Sequence, residues 1–382
     1  MKNFFNEPNP ALSGQFGTNV TQHPSPICVV RLTPPGRGAV ASVLVDGPGA
    51  AELVQTVVRT KSGRPLADFS DDRLVAAHFN GENGEEIVVR RRSPQAVELH
   101  CHGGYAATAM IEDTLRQRGC RVVAWQQRVA EDQEDPIAAA ALVALADAPT
   151  QRTAAILLDQ YHGALSRKFD AIQQNIEQKN FVIAQQQVES LRAYMPLGLH
   201  LTNPWRVVVA GPPNAGKSSL INAMVGFQRS IVHHTPGTTR DAVTVATAMD
   251  GWPVELCDTA GLRAEAEGIE KAGVELARQR ICDADLAVLV FDLTAIWSAA
   301  DQLLIEVFPN ALLVHNKTDL TGSDHGSVEK RPAGLFTSAL TGMGIDELIE
   351  KIAKRLVPCP PSIGAAVPFT SEQIKLVQDF SA

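Results

Sequence analysis

A chain of 382 residues that is 45% apolar exceeds one ordinary core and carries material for two or three domains of roughly 150 residues each. Its net charge of −8 and pI near 5.7 exclude a global basic field, so any contact with nucleic acid must be a local patch. Six cysteines, at 28, 101, 120, 257, 282 and 359, contain no Cys-x-x-Cys pair and read as thiols of a reducing compartment, not as a disulfide framework.

Residues 1–26 are rich in Asn, Pro, Gly and Ser and lack an apolar run, which predicts a disordered arm and excludes a secretory signal. The longest apolar stretch, Ile137 to Ala146, is too short for a bilayer, so a soluble, cytoplasmic protein without a membrane segment is expected.

Over 27–130 strand and helix patterns mix. Ile27 to Leu32 and Val40 to Val45 read as strands around the rigid turn Thr33-Pro-Pro-Gly-Arg-Gly38, and Ala50 to Thr60 reads as a helix. Arg73 to Phe79, Glu86 to Arg90 and Ala96 to His100 read as strands, and Ala106 to Arg118 as a helix after the Gly103-Gly104 turn. An α+β domain with its own core follows. His100-Cys101-His102 is not read as a metal site, because strand residues alternate faces and no second ligand cluster accompanies them.

Over 136–200 breakers are few, and Leu157, Tyr161, Leu165, Phe169, Ile172 and Ile176 recur every three or four residues. This predicts a helical connector whose apolar face packs on its neighbours. From 204 to 357 strands and helices alternate as in a doubly wound, mostly parallel α/β nucleotide domain. Its expected strands are Trp205 to Ala210, a hairpin of Ala242 to Met249 and Pro253 to Cys257, then Leu286 to Phe291, Ala311 to Val314 and Leu335 to Thr337. Helices are expected from Ser219 to Gly226, Ile269 to Arg280, Ala299 to Val307 and Gly344 to Leu356. Residues 358–382 read as a Pro-rich tail with at most one short helix near Ser371 to Phe380.

Five motifs of the α/β region carry chemistry. Gly211-Pro-Pro-Asn-Ala-Gly-Lys-Ser-Ser219 has the P-loop pattern Gly-x4-Gly-Lys-Ser between an apolar strand and a helix. Its glycines, Gly211 and Gly216, let the backbone fold round a phosphate, so that the run through Asn214, Ala215 and Ser219 forms a cradle of N–H groups. Lys217 would bring a point charge to the β and γ phosphates, and the Ser218 hydroxyl would join a Mg²⁺ shell. In Gly237-Thr238-Thr239-Arg240-Asp241 a threonine can close over Mg²⁺ and the γ-phosphate, a role given to Thr239, with Thr238 beside the nucleotide. Asp258-Thr-Ala-Gly261 ends a strand, with Asp258 as the acidic residue holding Mg²⁺ and the Gly261 N–H as a γ-phosphate sensor.

Asn316-Lys317-Thr-Asp319 also follows a strand. A carboxylate at 319 can accept from guanine N1–H and N2–H₂, whereas adenine would present an acceptor there; such charge-assisted bonds contribute about 1.5–3 kcal/mol. With Ser338-Ala339-Leu340 completing the base pocket, GTP and GDP are expected in preference to ATP. Many small GTPases place a water-positioning glutamine after Gly261, but here Leu262 stands. Hydrolysis is therefore slow or draws its missing group from elsewhere.

The P-loop run, Thr235-Pro-Gly-Thr-Thr-Arg-Asp241 and Asp258-Thr-Ala-Gly-Leu-Arg263 resemble the bacterial GTPases grouped with Era, EngA and MnmE. Upstream, Thr33-Pro-Pro-Gly-Arg-Gly38, Cys101-His-Gly-Gly104, Leu145-Ala-Asp-Ala148 and Gly163-Ala-Leu-Ser166 are similar to signatures of the MnmE (TrmE) tRNA-modification GTPases. This resemblance implies a K⁺ ion held partly by Asn214 and a homodimer formed through the N-terminal domain. Two GTPase domains would then meet face to face, the ion replacing an arginine finger, an effect of roughly 10³–10⁵ in other GTPases. The water-orienting glutamate of the family falls on Glu270, whose other reading is a first-turn charge favoured by the helix dipole. Arg240 is a switch contact or a surface charge.

The resemblance further implies bound formyl-tetrahydrofolate, a flavoprotein partner and tRNA. The chain departs from the family in stopping at Ala382 without Cys-x-Gly-Lys, in a short helical segment before the P-loop, and in lacking a Pro-Gly-Glu-Phe-Thr-type run at 126–132. Two uses of GTP are open: tRNA wobble-uridine modification, and a nucleotide-gated interaction role, for example in ribosome or ribonucleoprotein assembly, without modifying chemistry. The missing cysteine motif favours the second.

Overall fold

The computed structural model describes residues 27–36, 38–227, 244–258, 284–321 and 331–380, and the chain divides into two compact units, Met1–Pro136 and Ile137–Ala382.

The first unit is a seven-stranded sheet with helices. In chain order its strands are β1 (Cys28–Arg31), β2 (Val40–Asp46), β3 (Val58–Thr60), β4 (Leu74–Phe79), β5 (Glu85–Ser93), β6 (Ala96–His102) and β7 (Arg121–Val123). They lie in the order β3-β4-β5-β6-β2-β1-β7, antiparallel except for β1 with β7. Alternation sets the faces: Val43, Val45, Val97 and Leu99 join Val54 of α1 (Ala50–Val57) and Ile111 and Leu115 of α2 (Tyr105–Gln117) in one core.

The expected helix from Ala50 to Thr60 stops at Val57, because Val58, Arg59 and Thr60 pair with β4, and the β-branched Val58 and Thr60 suit the sheet edge. Strand β7 and helix α3 (Trp125–Asp132) were not anticipated. Around His100-Cys101-His102 the side chains already have protein partners: His100 Nδ1 lies 2.8 Å from Ser42 Oγ and His102 Nδ1 2.6 Å from Glu85 Oε1, while Cys101 is buried. Among the described residues no group of three metal-ligating side chains occurs.

The second unit begins with α4 (Pro136–Leu145), α5 (Gln151–Tyr161), α6 (Ala164–Glu177), α7 (Phe181–Arg192) and the short α8 (Met195–Gly198). Where the sequence suggested a connector with one apolar face, the chain makes a bundle whose core holds Leu157, Leu165, Ile172, Val188 and Leu191. Then come β8 (Trp205–Ala210), α9 (Lys217–Phe227), β9 (Thr244–Met249), β10 (Trp252–Asp258), β11 (Leu286–Asp292), α10 (Ala299–Val307), β12 (Leu312–Asn316), β13 (Leu335–Thr337), α11 (Ile345–Leu356) and α12 (Ser371–Asp379).

The sheet order is β13-β12-β11-β8-β10-β9, parallel apart from β9, which returns against β10 through Asp250 (φ 49°) and Gly251 (φ 77°). Both faces are covered, so β8 and β11 read as continuous apolar runs. Val207, Val209, Val288 and Val290 face Leu220, Met224, Ile349 and Ile352, whereas Val208, Leu289 and Phe291 face Trp297 and Leu304.

Thr150 and Arg152 join the bundle to the β9–β10 turn. Thr150, which caps α5 by accepting from Thr153 N, also donates to Gly251 O at 2.7 Å, and Arg152 donates to Asp250 Oδ2 at 2.8 Å with its guanidinium 4.3 Å from the Trp252 ring centroid. The segment expected as a tail returns to the bundle. Fully buried Gln160 donates to Ala365 O (3.0 Å) and accepts from Val367 N (3.1 Å), and Val367, Phe369 and Val377 enter the same core.

Candidate functional site

The carboxyl ends of β8, β10, β11, β12 and β13 lie along one edge of the parallel sheet, where such folds place their ligands. The loop after β8 is held in a shape that glycine alone permits. Gly211 has φ 144°, and a Cβ there would sit 2.1 Å from Val290 O. Asn214 and Gly216 take left-handed conformations (φ 62° and 88°), which turn successive N–H groups toward the concave side. Ala215 is buried, and Asn214 and Ser219 are exposed.

Lys217 opens α9. Although only 7% exposed, it is satisfied by the loop it springs from, donating to Gly211 O (3.1 Å) and Pro212 O (2.8 Å). One residue on, Ser218 Oγ donates to Asp258 Oδ2 at 2.5 Å, and Asp258, the last residue of β10, is 5% exposed. A hydroxyl and a carboxylate side by side beside a cationic loop make the donor set that a small hard cation and a polyphosphate require.

Asn316, at the end of β12, is 2% exposed and ties loops together. Its Nδ2 donates to Ala215 O (3.1 Å), and its Oδ1 accepts from Thr337 Oγ1 (3.2 Å) and Ala339 N (3.2 Å). A Cβ on Gly216 would lie 2.4 Å from that Nδ2, so the two loops touch only because residue 216 has no side chain. Ser338 is fully buried, donates its hydroxyl to Asp319 Oδ1 and accepts from Thr341 N at 3.1 Å. Asp319 is thereby oriented while its carboxylate remains exposed, next to the exposed Leu340. Lys317 has φ 69°, and its Nζ lies 2.7 Å from Asp292 Oδ2. Burial pushes the Asp292 carboxyl up, but bonds from Lys317 and Thr294 outweigh that and hold it below the usual carboxylate range.

Thr238, Thr239, Arg240, Gly261, Leu262 and Glu270 lie outside the described residues. The remaining sequence-derived residues come together along this edge, and Asn316 ties the P-loop to the Ala339 loop there. Sequence reasoning missed Asp292, Arg331 and His315. The His315 ring packs among Phe291, Trp297 and Phe336 and shares a 2.9 Å hydrogen bond from Nε2 to Pro332 O, and burial pushes its imidazole down, keeping it neutral. An acidic residue ending the strand before the Asn-Lys-x-Asp strand is a signal that could have exposed the Asp292 pair.

Strand order, P-loop, Asp258 and the Asn316-to-Asp319 motif together define a P-loop GTPase. A family model described as 50S ribosome-binding GTPase matches residues 206–317. The tRNA modification GTPase MnmE of Prochlorococcus marinus (strain MIT 9303) is 31% identical over 368 residues, covering 84% of this chain and 78% of that protein. That of Geobacillus kaustophilus (strain HTA426) is 30% identical, covering 84% and 80%. Among solved structures, the G domain of the T. maritima FeoB iron transporter is 28% identical with a TM-score of 0.30, covering 40% of this chain and 99% of that one. The chain belongs to the MnmE family of tRNA modification GTPases. Among the described residues no helix is long and apolar enough to cross a membrane.

Proposed function

We propose that this GTPase cycles between GTP and GDP with Mg²⁺, is stimulated by K⁺, and works on tRNA as its named relatives do. The observation that carries the nucleotide reading is the convergence of Lys217, the Ser218–Asp258 pair and the Ser338-held Asp319 on one edge of a parallel sheet. The phosphates lie in the cradle from Gly211 through Asn214, Ala215, Gly216, Lys217 and Ser218 to Ser219, where the Lys217 ammonium can pass from the loop carbonyls to phosphate oxygen. Ser218 and Asp258 supply hard oxygens that fit Mg²⁺, joined by Thr239. Bound there, the metal offsets charge on the transferring phosphoryl group.

Asp319 accepts from guanine, Ser338 orients it, and Ala339 and Leu340 flank the base. Thr238 and Gly261 take the nucleotide's γ side, and Glu270 orients water. Asn214 fits K⁺, because its exposed amide is a neutral hard donor at the outer rim of the cradle.

A second copy and a flavoprotein partner complete this reading. The match to the relatives spans 84% of the chain, well beyond the GTPase motifs, and this favours tRNA modification over a bare nucleotide-gated interaction role. GTP turnover in K⁺ against Na⁺ at equal ionic strength, with Asn214→Ala alongside, tests the ion, and tRNA-stimulated turnover tests the substrate. Equal slow rates in both salts would remove Asn214 and Glu270 from the mechanism, and indifference to tRNA would return the interaction role.

A further inference from the structure

We infer that Asp292 is a positioning residue of the nucleotide site, acting through Lys317, and that Arg331 fixes the loop from which Asp292 acts. The inference rests on the guanine-nucleotide reading above. Asp292 closes β11 opposite Asn316 of β12 and sits at the rim of the site. Its Oδ1 accepts from Thr294 N (2.8 Å) and Thr294 Oγ1 (2.6 Å), which leaves Oδ2 aimed at Lys317 Nζ, 2.7 Å away.

The Lys317 stem is thereby stretched along the P-loop: its Cε lies 3.9 Å from where a Gly216 Cβ would be. A lysine so held keeps its methylenes fixed beside the P-loop. Released from Asp292, the same four-carbon stem samples its rotamers, and a nucleotide must order it on binding.

The loop itself is braced from outside the pocket. Arg331 Nη1 donates to Asp292 O (3.0 Å) and Nη2 to Leu293 O (3.1 Å) and to Ala295 O, while its guanidinium stands 5.6 Å from the Trp297 ring centroid. Leu293 N also donates to Asn316 O at 2.9 Å. Asp292 therefore cannot drift from Lys317 without breaking these bonds.

The test is a double-mutant cycle on GDP binding to the full chain, read by a fluorescent GDP analogue. Asp292→Asn should raise the Kd for GDP about tenfold, mostly through faster release. In a Lys317→Met background, which keeps the stem and removes the charge, Asp292→Asn should add less than a twofold loss. Thr294→Val, which frees the carboxylate from its other side, should give a smaller rise of the same kind and covers the case in which Asp292→Asn folds poorly. An unchanged Kd for Asp292→Asn, or a full tenfold loss retained in the Lys317→Met background, overturns the inference. Absence of GDP binding by the unsubstituted chain overturns the underlying nucleotide reading instead.

Discussion

Replacing Asn316 by alanine separates two roles that its motif confounds. The side chain is 2% exposed and makes three bonds, to Ala215 O, Thr337 Oγ1 and Ala339 N. Truncation leaves those three groups without their partner. A buried polar group left unsatisfied costs about 1–3 kcal/mol, and entering water will recover part of it. A net loss of about 2–3 kcal/mol in the alignment of the P-loop against the Ala339 loop corresponds to about 30- to 150-fold weaker GDP binding.

Because the amide is turned to the protein, discrimination among bases should survive. The ratio of affinities for GDP, IDP and XDP should stay within about threefold of the unsubstituted chain, measured by competition against a fluorescent GDP analogue. Asp319→Asn should behave in the opposite manner. Its side chain offers one acceptor and an NH₂ donor where the carboxylate accepts twice, so preference should move toward XDP. A strong change of base preference in Asn316→Ala, or GDP binding undiminished by it, would refute the reading of Asn316 as a tie between loops.

Gly216→Ala should abolish tight nucleotide binding, since its Cβ would meet Asn316 Nδ2 at 2.4 Å in a left-handed backbone that costs alanine about 1 kcal/mol; calorimetric titration with GDP checks it. Gln160→Ala leaves Ala365 O and Val367 N unpaired at a fully buried position, and should cost about 2–4 kcal/mol and open residues 358–380 to limited proteolysis before the P-loop region is cut. Arg152→Ala removes the bonds to Asp250 and the stack on Trp252, and should lower stability by about 1 kcal/mol in urea melts while leaving the GDP Kd unchanged. Burial holds the folded pKa of His315 below its usual 6.5, so the unfolded chain takes up a proton first as pH falls. Its contribution to stability is therefore full above about pH 6.5 and is lost as pH drops below that; His315→Gln should flatten the slope of stability between pH 7 and 5.

What the chain displays locally could be read from it. The continuous apolar runs of β8 and β11 report burial on both faces, and the P-loop glycines report a backbone that no side chain allows, as the 2.1 Å approach of a Gly211 Cβ to Val290 O demonstrates. What depends on sheet order could not. Val58 becomes a strand residue because β4 lies beside it, and the β-branched residues of Val-Val-Arg-Thr suit that place without naming the neighbour. The Arg152 clamp and the Gln160 bonds join residues 98 and 205 or more positions apart, beyond any periodicity.

Asn316 shows where a motif stops informing. Its spacing to Asp319 marks which residues stand at the carboxyl edge, but the direction of each side chain is set by the strands on either side. As the last residue of β12, Asn316 lies between β11 and β13, with the P-loop on one side and the Ala339 loop on the other, so its amide meets two backbones. Asp319, three residues past the strand and held by Ser338, is free of that confinement and keeps its carboxylate exposed. On the guanine-nucleotide reading proposed above, two polar residues of one motif thus divide the work, one fixing the pocket's walls and the other facing its contents.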